Sequence, residues 1–205
     1  KTSYRVKFND IVELYGIENL KSRNKSKKEK YKPSEKEKNK YNNFILENND
    51  NFIVINKPSG IPVQSGTKSY RNIVDILKDT KYFEYTKPYI VHRLDKETSG
   101  VMIIAKNREY AQLFTSLFRI RKIHKTYLAV CFGRVTKELN ILKDNLTIYE
   151  RNKKISQKAI THLKIIKSND YFTFLELKPI TGRKHQLRKQ LFNIGNPIIG
   201  DTKYS

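Results

Sequence analysis

Apolar residues recur along this chain with two distinct periods. Phe52-Ile53-Val54-Ile55, ended by Lys57-Pro58-Ser59-Gly60, predicts a strand over residues 51–56 and a turn where Pro and Gly favour one. Residues 73–77 predict a short helix, and the apolar runs 89–91 and 101–105 two further strands. From Asn107, a good N-cap residue, the period changes: Tyr110, Leu113, Phe114, Leu117 and Phe118 follow the i, i+3, i+4, i+7, i+8 spacing of a scaffold helix. Residues 125–132 alternate, with Thr126, Leu128, Val130 and Phe132 on one face and Lys125, Tyr127, Ala129 and Cys131 on the other. Residues 159–166 and 171–177 predict an antiparallel pair around Ser168-Asn169-Asp170. A last helix over residues 184–194 carries Leu187, Leu191 and Ile194 on its apolar stripe, with Gly195 and Pro197 placed to end it. Strands with helices at irregular intervals predict an α+β domain: a mixed, mainly antiparallel sheet flanked by helices.

Residues 21–40 break this patterning. Ten Lys or Arg face three Glu, and Tyr31 and Pro33 are the only bulky or stiff members. Such a segment buries too little to offset the entropy of ordering, which predicts disorder across a basic insert spanning residues 21–43. Residues 4–14 alternate around an Asn9-Asp10 turn, a small fragment within residues 1–20. The main domain then occupies residues 44–205.

At 205 residues the chain can bury one substantial core. A formal charge of +22 and a pI near 9.9 recruit polyanions, nucleic acid before anionic membrane. The single cysteine, Cys131, forbids an internal disulfide, suits a reducing, intracellular compartment, and sits in an apolar run as a buried thiol would. No apolar stretch approaches the length of a membrane span. A first residue that is not methionine leads us to expect sequence upstream, including any targeting peptide.

The densest polar chemistry lies at His92-Arg93-Leu94-Asp95-Lys96-Glu97-Thr98-Ser99-Gly100, between two predicted strands. A carboxylate there is costly unless it is paired or does chemistry, so Asp95 is the residue to explain. Glu97 fits a solvent-facing turn position. The second dense motif, residues 181–188, joins a strand to the last helix and offers Arg183 at a helix N-terminus, a setting for phosphate or carboxylate as much as for a plain cap. Other chemistries are excluded by pattern. Phosphate-loop and dinucleotide glycine fingerprints are absent, and the kinase-like His92-Arg93-Leu94-Asp95 lacks its companion motifs. His92, His124, His162 and His185 lack metal-ligand spacing.

Four ordered blocks make the chain resemble the RluA-type pseudouridine synthases, from Phe44 to the C-terminus: residues 53–60, 92–106, 124–129, and 181–188 with 195–201. The resemblance implies a pseudouridine synthase-like catalytic domain that isomerises uridine in structured RNA to its C-glycoside, with no metal and no cofactor. Asp95 matches the catalytic aspartate, as nucleophile or as base. Tyr127 matches the active-site tyrosine under the target base, Arg183 the arginine that pairs with the aspartate, and Leu187 an apolar pocket wall. Arg93 matches a residue that enters the RNA stack; His92, Lys57, His185 and Arg188 complete the expected RNA-binding set. The expected partner is RNA, ribosomal before transfer RNA, and the expected setting is cytoplasm or an organelle with its own ribosomes, with no membrane. A non-enzymatic RNA-binding or ribosome-assembly factor on the same scaffold is the competing expectation. Gln190 departs from the pattern, where many relatives carry a second histidine. Residues 4–14 are similar to the closing strand of an S4-like RNA-binding domain, and the stop at Tyr204-Ser205 leads us to expect truncation at both ends.

Overall fold

A computed structural model describes residues 7–11, 13, 31–65, 71–136, 138–150 and 153–205. The chain divides into two compact units, 1–31 and 32–205. In the first, Asp10 N–H donates to Lys7 O at 3.2 Å, closing a turn in which Asn9 takes a φ of 72°. The rest of the expected S4-like strand, and residues 21–30 of the basic insert, lie outside the described residues.

The disorder expected across residues 21–43 does not hold from Glu35 onward, where helix α1 spans Glu35–Asn42. Two local interactions and one long-range ion pair explain it. Ser34 caps the helix by accepting from Glu37 N–H at 3.3 Å, Lys38 pairs with Glu35 at 2.7 Å, and Arg71 Nε donates to Glu37 at 2.6 Å. Tyr41, buried at the last turn, then anchors an otherwise polar helix.

The first sheet contains β1 (Ile45–Asn48), β2 (Phe52–Lys57), β3 (Tyr89–Ile90) and β4 (Gly100–Ala105), in the order β1-β2-β4-β3. Alternation along β2 turns Ile53, Ile55 and Lys57 to the buried side, opposite Ile104, Met102 and Gly100 of β4. Helix α2 (Ile73–Lys78), capped by Asn72, adds Ile73, Ile76 and Leu77 to that core. Helix α3 (Arg108–Arg119) is capped by Asn107 as expected, and Tyr110 and Phe114 pack on Phe52.

The second sheet joins β5 (Tyr127–Phe132), β6 (Ile141–Glu150), β7 (Lys153–Ser168) and β8 (Phe172–Pro179) in the order β5-β8-β7-β6. Its inner face carries Cys131, Leu142, Leu163, Leu175 and Leu177, against which Leu191 of α4 (Gln186–Asn193) packs. Helix α4 ends as Gly195 predicts: at φ 80°, it lets Asn196 N–H reach Leu191 O and its own N–H reach Phe192 O. The fold is α+β as expected. Every strand pair among the described residues is antiparallel, in two four-stranded sheets rather than one. Strand β6 is not expected from the sequence, because Ile141, Leu142, Leu146, Ile148 and Tyr149 do not alternate, and its pairing with the long β7 supplies the order. No helix among the described residues is long and apolar enough to cross a membrane.

Lys57 corrects an expectation. It is fully buried, and its ammonium donates to Pro58 O at 2.8 Å, Ile61 O at 2.9 Å and Lys96 O at 3.1 Å. All three protons are held by backbone carbonyls, so it clamps two loops and has none left for RNA. Burial lowers its pKa to about 8, which still leaves it charged at neutral pH. Lys57→Met should strand these acceptors and cost about 2–4 kcal/mol of stability in urea unfolding. Loss of RNA affinity with unchanged stability is the outcome that would contradict the clamp.

Candidate active site

Asp95 sits in the loop between β3 and β4, and the loop is held from three sides. Thr98 N–H donates back to Asp95 O at 3.1 Å, making a tight turn after the carboxylate. Behind it, the turn after β2 contributes the Lys57 clamp, Gly60 N–H to Lys96 O at 2.9 Å, and Ser59 Oγ to Glu97 O at 2.8 Å. Gly60 takes a φ of 84° in that turn, a backbone state that favours glycine. In front, His92 Nε2 accepts from Ile103 N–H at 2.9 Å and its ring packs 4.5 Å from that of Phe118. His92 therefore ties the loop to β4 and α3 and does not project toward a ligand. Burial, reinforced by the charge of Lys125, lowers its pKa to about 4. Arg93, by contrast, is exposed.

The opposite wall comes from α4. A buried amide network fixes that helix on the second sheet: Gln186 Oε1 accepts from Thr181 Oγ1 at 2.8 Å and from Arg183 N–H at 3.0 Å, while its Nε2 donates to Thr161 Oγ1 at 2.9 Å. Thr161 Oγ1 donates to Gln190 Oε1 at 2.6 Å, and Gln190 Nε2 donates to Asp144 at 2.9 Å. Every member is buried or half-buried and paired, which makes such a network specify one orientation of the helix. Gln190, the departure noted in the sequence, is one of its links.

This orientation places Arg188 between two carboxylates. Its Nε and Nη2 grip Asp201 at 2.6 and 2.7 Å, and Nη1 lies 3.6 Å from Asp95 Oδ2. Asp201 also accepts from Lys203 and Tyr204 N–H, at 2.9 and 3.1 Å. Arg188 together with these amides holds its pKa down at about 2, against the effect of burial. The Tyr204 ring stacks under the guanidinium at 5.0 Å, and its hydroxyl shares a 3.0 Å hydrogen bond with His185 Nδ1. His185 holds a left-handed φ of 54° at the N-cap, with Nε2 3.8 Å from Asp95 Oδ1. Burial depresses its pKa; the Asp95 charge opposes this and nearby Arg188, Lys203 and Lys184 reinforce it. At neutral pH the imidazole is uncharged, so Arg188 is the cation that faces Asp95.

The expected Asp95–Arg183 pair is thus corrected. Arg183 Nε donates to Lys158 O at 3.2 Å, anchoring the chain to β7 ahead of the helix. Arg183 lies before the helix and Arg188 in its first turn, and the amide network selects the second. Tyr127, at the start of β5, is mostly buried; burial and then the Asp95 charge both raise its pKa, which keeps it a phenol. Leu187 packs beside it against the second core. The structure therefore gathers Asp95, Tyr127, His185 and Arg188, and assigns Lys57, His92 and Arg183 to the scaffold around them. Asp201 and Tyr204 were not read as site residues. The only available signal was an acid and an aromatic after a motif that carries two arginines, Arg183 before the helix and Arg188 in it, and nothing in that spacing says which arginine they hold.

The fold has counterparts of known family. The structure matches human RNA Pseudouridylate Synthase Domain Containing 4 with a TM-score of 0.67 and 31% identity, over 82% of this chain and 71% of that one. Residues 51–193 match the RNA pseudouridylate synthase family, and the chain belongs to it. It is 39% identical over 173 residues to ribosomal large subunit pseudouridine synthase C of Rickettsia felis, covering 78% of this chain and 55% of that relative. With RNA pseudouridine synthase 4, mitochondrial, of Arabidopsis thaliana it shares 29% identity over 210 residues, 87% of this chain and 44% of the relative. The chain thus spans about half the length of these two relatives.

The depressed pKa of His92 has a pH signature. Unfolded, the imidazole titrates at its ordinary 6.5; folded, at about 4. Between those values the unfolded state binds the extra proton, so stability falls as pH drops from 6.5 toward 4, by roughly 2–3 kcal/mol for this one group. His92→Asn, which removes the titration, should flatten that segment of the stability–pH curve measured by urea unfolding. An unchanged slope would mean that His92 is not held neutral.

Proposed function

We propose that this protein isomerises uridine in structured RNA to pseudouridine, with Asp95 as the reacting carboxylate. The observation that carries this is the placement of Asp95 at 3.6 Å from Arg188, beside the mostly buried Tyr127, in a chain of +22 formal charge. Isomerisation requires the N-glycosidic bond to break, the uracil to turn, and a bond to form through C5. The base must therefore leave its stack, at a cost of a few kcal/mol that protein contacts offset. Tyr127 supplies an aromatic floor worth roughly 1–3 kcal/mol of stacking, and as a phenol it can donate a hydrogen bond to the uracil. Arg188, locked by Asp201, fixes the carboxylate against the sugar. Arg93, exposed beside it, occupies the gap the uridine leaves. The names of the relatives support ribosomal RNA as the substrate and a ribosome-containing compartment as the setting.

Asp95→Asn should lower release of tritium from C5-labelled uridine in ribosomal RNA roughly a thousandfold or more while RNA binding persists. Equal turnover in that variant would sink the mechanism, and would favour a binding factor on the same scaffold. The two arginines separate cleanly. Arg188→Lys should lose turnover about a hundredfold, since one ammonium cannot hold both carboxylates, whereas Arg183→Lys should stay within about threefold of the parent. The reverse order would restore Arg183 as the partner of Asp95.

A further inference from the structure

Helix α3 has a second face that the fold does not use. Its apolar stripe packs on the first sheet; the opposite stripe, Arg108, Ala111, Gln112, Thr115, Ser116 and Arg119, follows the same i, i+3, i+4, i+7, i+8, i+11 spacing. That stripe faces β3 across an open groove of about 570 Å³, whose other wall is Lys87 and Tyr89. Cations stand at both ends of the helical wall and a third stands across from it. Between them the side chains are small or uncharged hydrogen-bonding groups, which leave room for a ligand. Among the described residues no acidic side chain lines the groove, and Lys87, Arg108 and Arg119 enter no ion pair. Lys87 lies 5.2 Å over the ring of Tyr89, which is half-buried and keeps part of its surface in the groove.

The groove is also connected to the site. Strand β3 runs directly into the loop bearing Asp95, and Phe118, next to Arg119, packs on His92 of that loop. The Arg119 end therefore lies toward the reacting carboxylate, and the Arg108 end roughly 16 Å farther along the helix. Cations paired with hydroxyl and amide donors are what phosphodiester oxygens bind, and an aromatic beside them suits a base face.

We propose that this groove is a second RNA-binding site, which takes the sugar-phosphate backbone of the single strand flanking the target uridine. The inference rests on RNA being the substrate. It differs from a general effect of net charge in needing three particular cations. The probe is fluorescein-labelled oligouridylate, bound to the full chain at several salt concentrations and at two lengths, about four and about twelve nucleotides. The longer strand should bind tighter to the parent protein. In Lys87→Gln/Arg108→Gln/Arg119→Gln that increment should disappear, and the slope of log affinity against log salt should fall by about 2, as expected for three phosphate contacts on a single strand. A control, Lys36→Gln/Lys40→Gln/Lys78→Gln, removes equal charge from exposed positions on α1 and α2 and should keep most of the increment. Circular dichroism checks that both triple variants are folded.

Equal losses in the two variants would overturn the groove in favour of the overall field, and no loss in the groove variant would overturn it outright. If the parent protein itself shows no length increment, the RNA reading falls with the groove. If the increment is present but survives removal of the three cations, the groove alone falls.

Discussion

One guanidinium holds the site together. Arg188 is clamped to Asp201 by two short hydrogen bonds and presents its remaining nitrogen to Asp95. Asp95 belongs to the first sheet's loop, while Arg188 and Asp201 belong to the second sheet's helix and the turn after it. The two halves of the domain therefore meet through a charge flanked by two carboxylates. Removing either partner of such a half-buried group leaves the other uncompensated, which is why the contact constrains the structure as much as the chemistry.

Everything around that contact serves to aim it. The Gln186–Thr161–Gln190–Asp144 chain fixes the rotation of α4, because its members are buried and a turn of the helix would leave several of them unpaired. On the other side, Lys57 and Gly60 fasten the chain just beyond Asp95, and His92 fastens the chain just before it. Polar residues that look like ligand-binding groups in the sequence are, in three cases, the fasteners of the loop or helix that carries Asp95 or Arg188.

Those three cases differ in how legible they were. Lys57 could have been read correctly: the alternation that sends Ile53 and Ile55 inward sends Lys57 inward too, and a buried ammonium needs acceptors. His92 was less accessible, since its partner is a backbone amide of β4, set by strand register. The choice between Arg183 and Arg188 was not accessible at all. Both stand in one polar motif, and the selection depends on a helix phase fixed by side chains from β6 and β7. Helix α1 illustrates the same limit from the other direction: its composition predicts disorder, and a cap, two ion pairs and one buried tyrosine supply the order.

The sequence by itself determined the α+β class, most strands and helices, the Gly195 stop and the prominence of Asp95, because these follow from local periods, turn chemistry and the cost of a carboxylate between strands. It also determined the basic surface, as a matter of charge count. Tertiary structure alone decided which cation faces Asp95, that Asp201 and Tyr204 lock it, and that the polar stripe of α3 faces β3 across an open groove. Those outcomes depend on how separate elements are oriented against one another, and orientation is set by buried contacts between residues far apart in the chain.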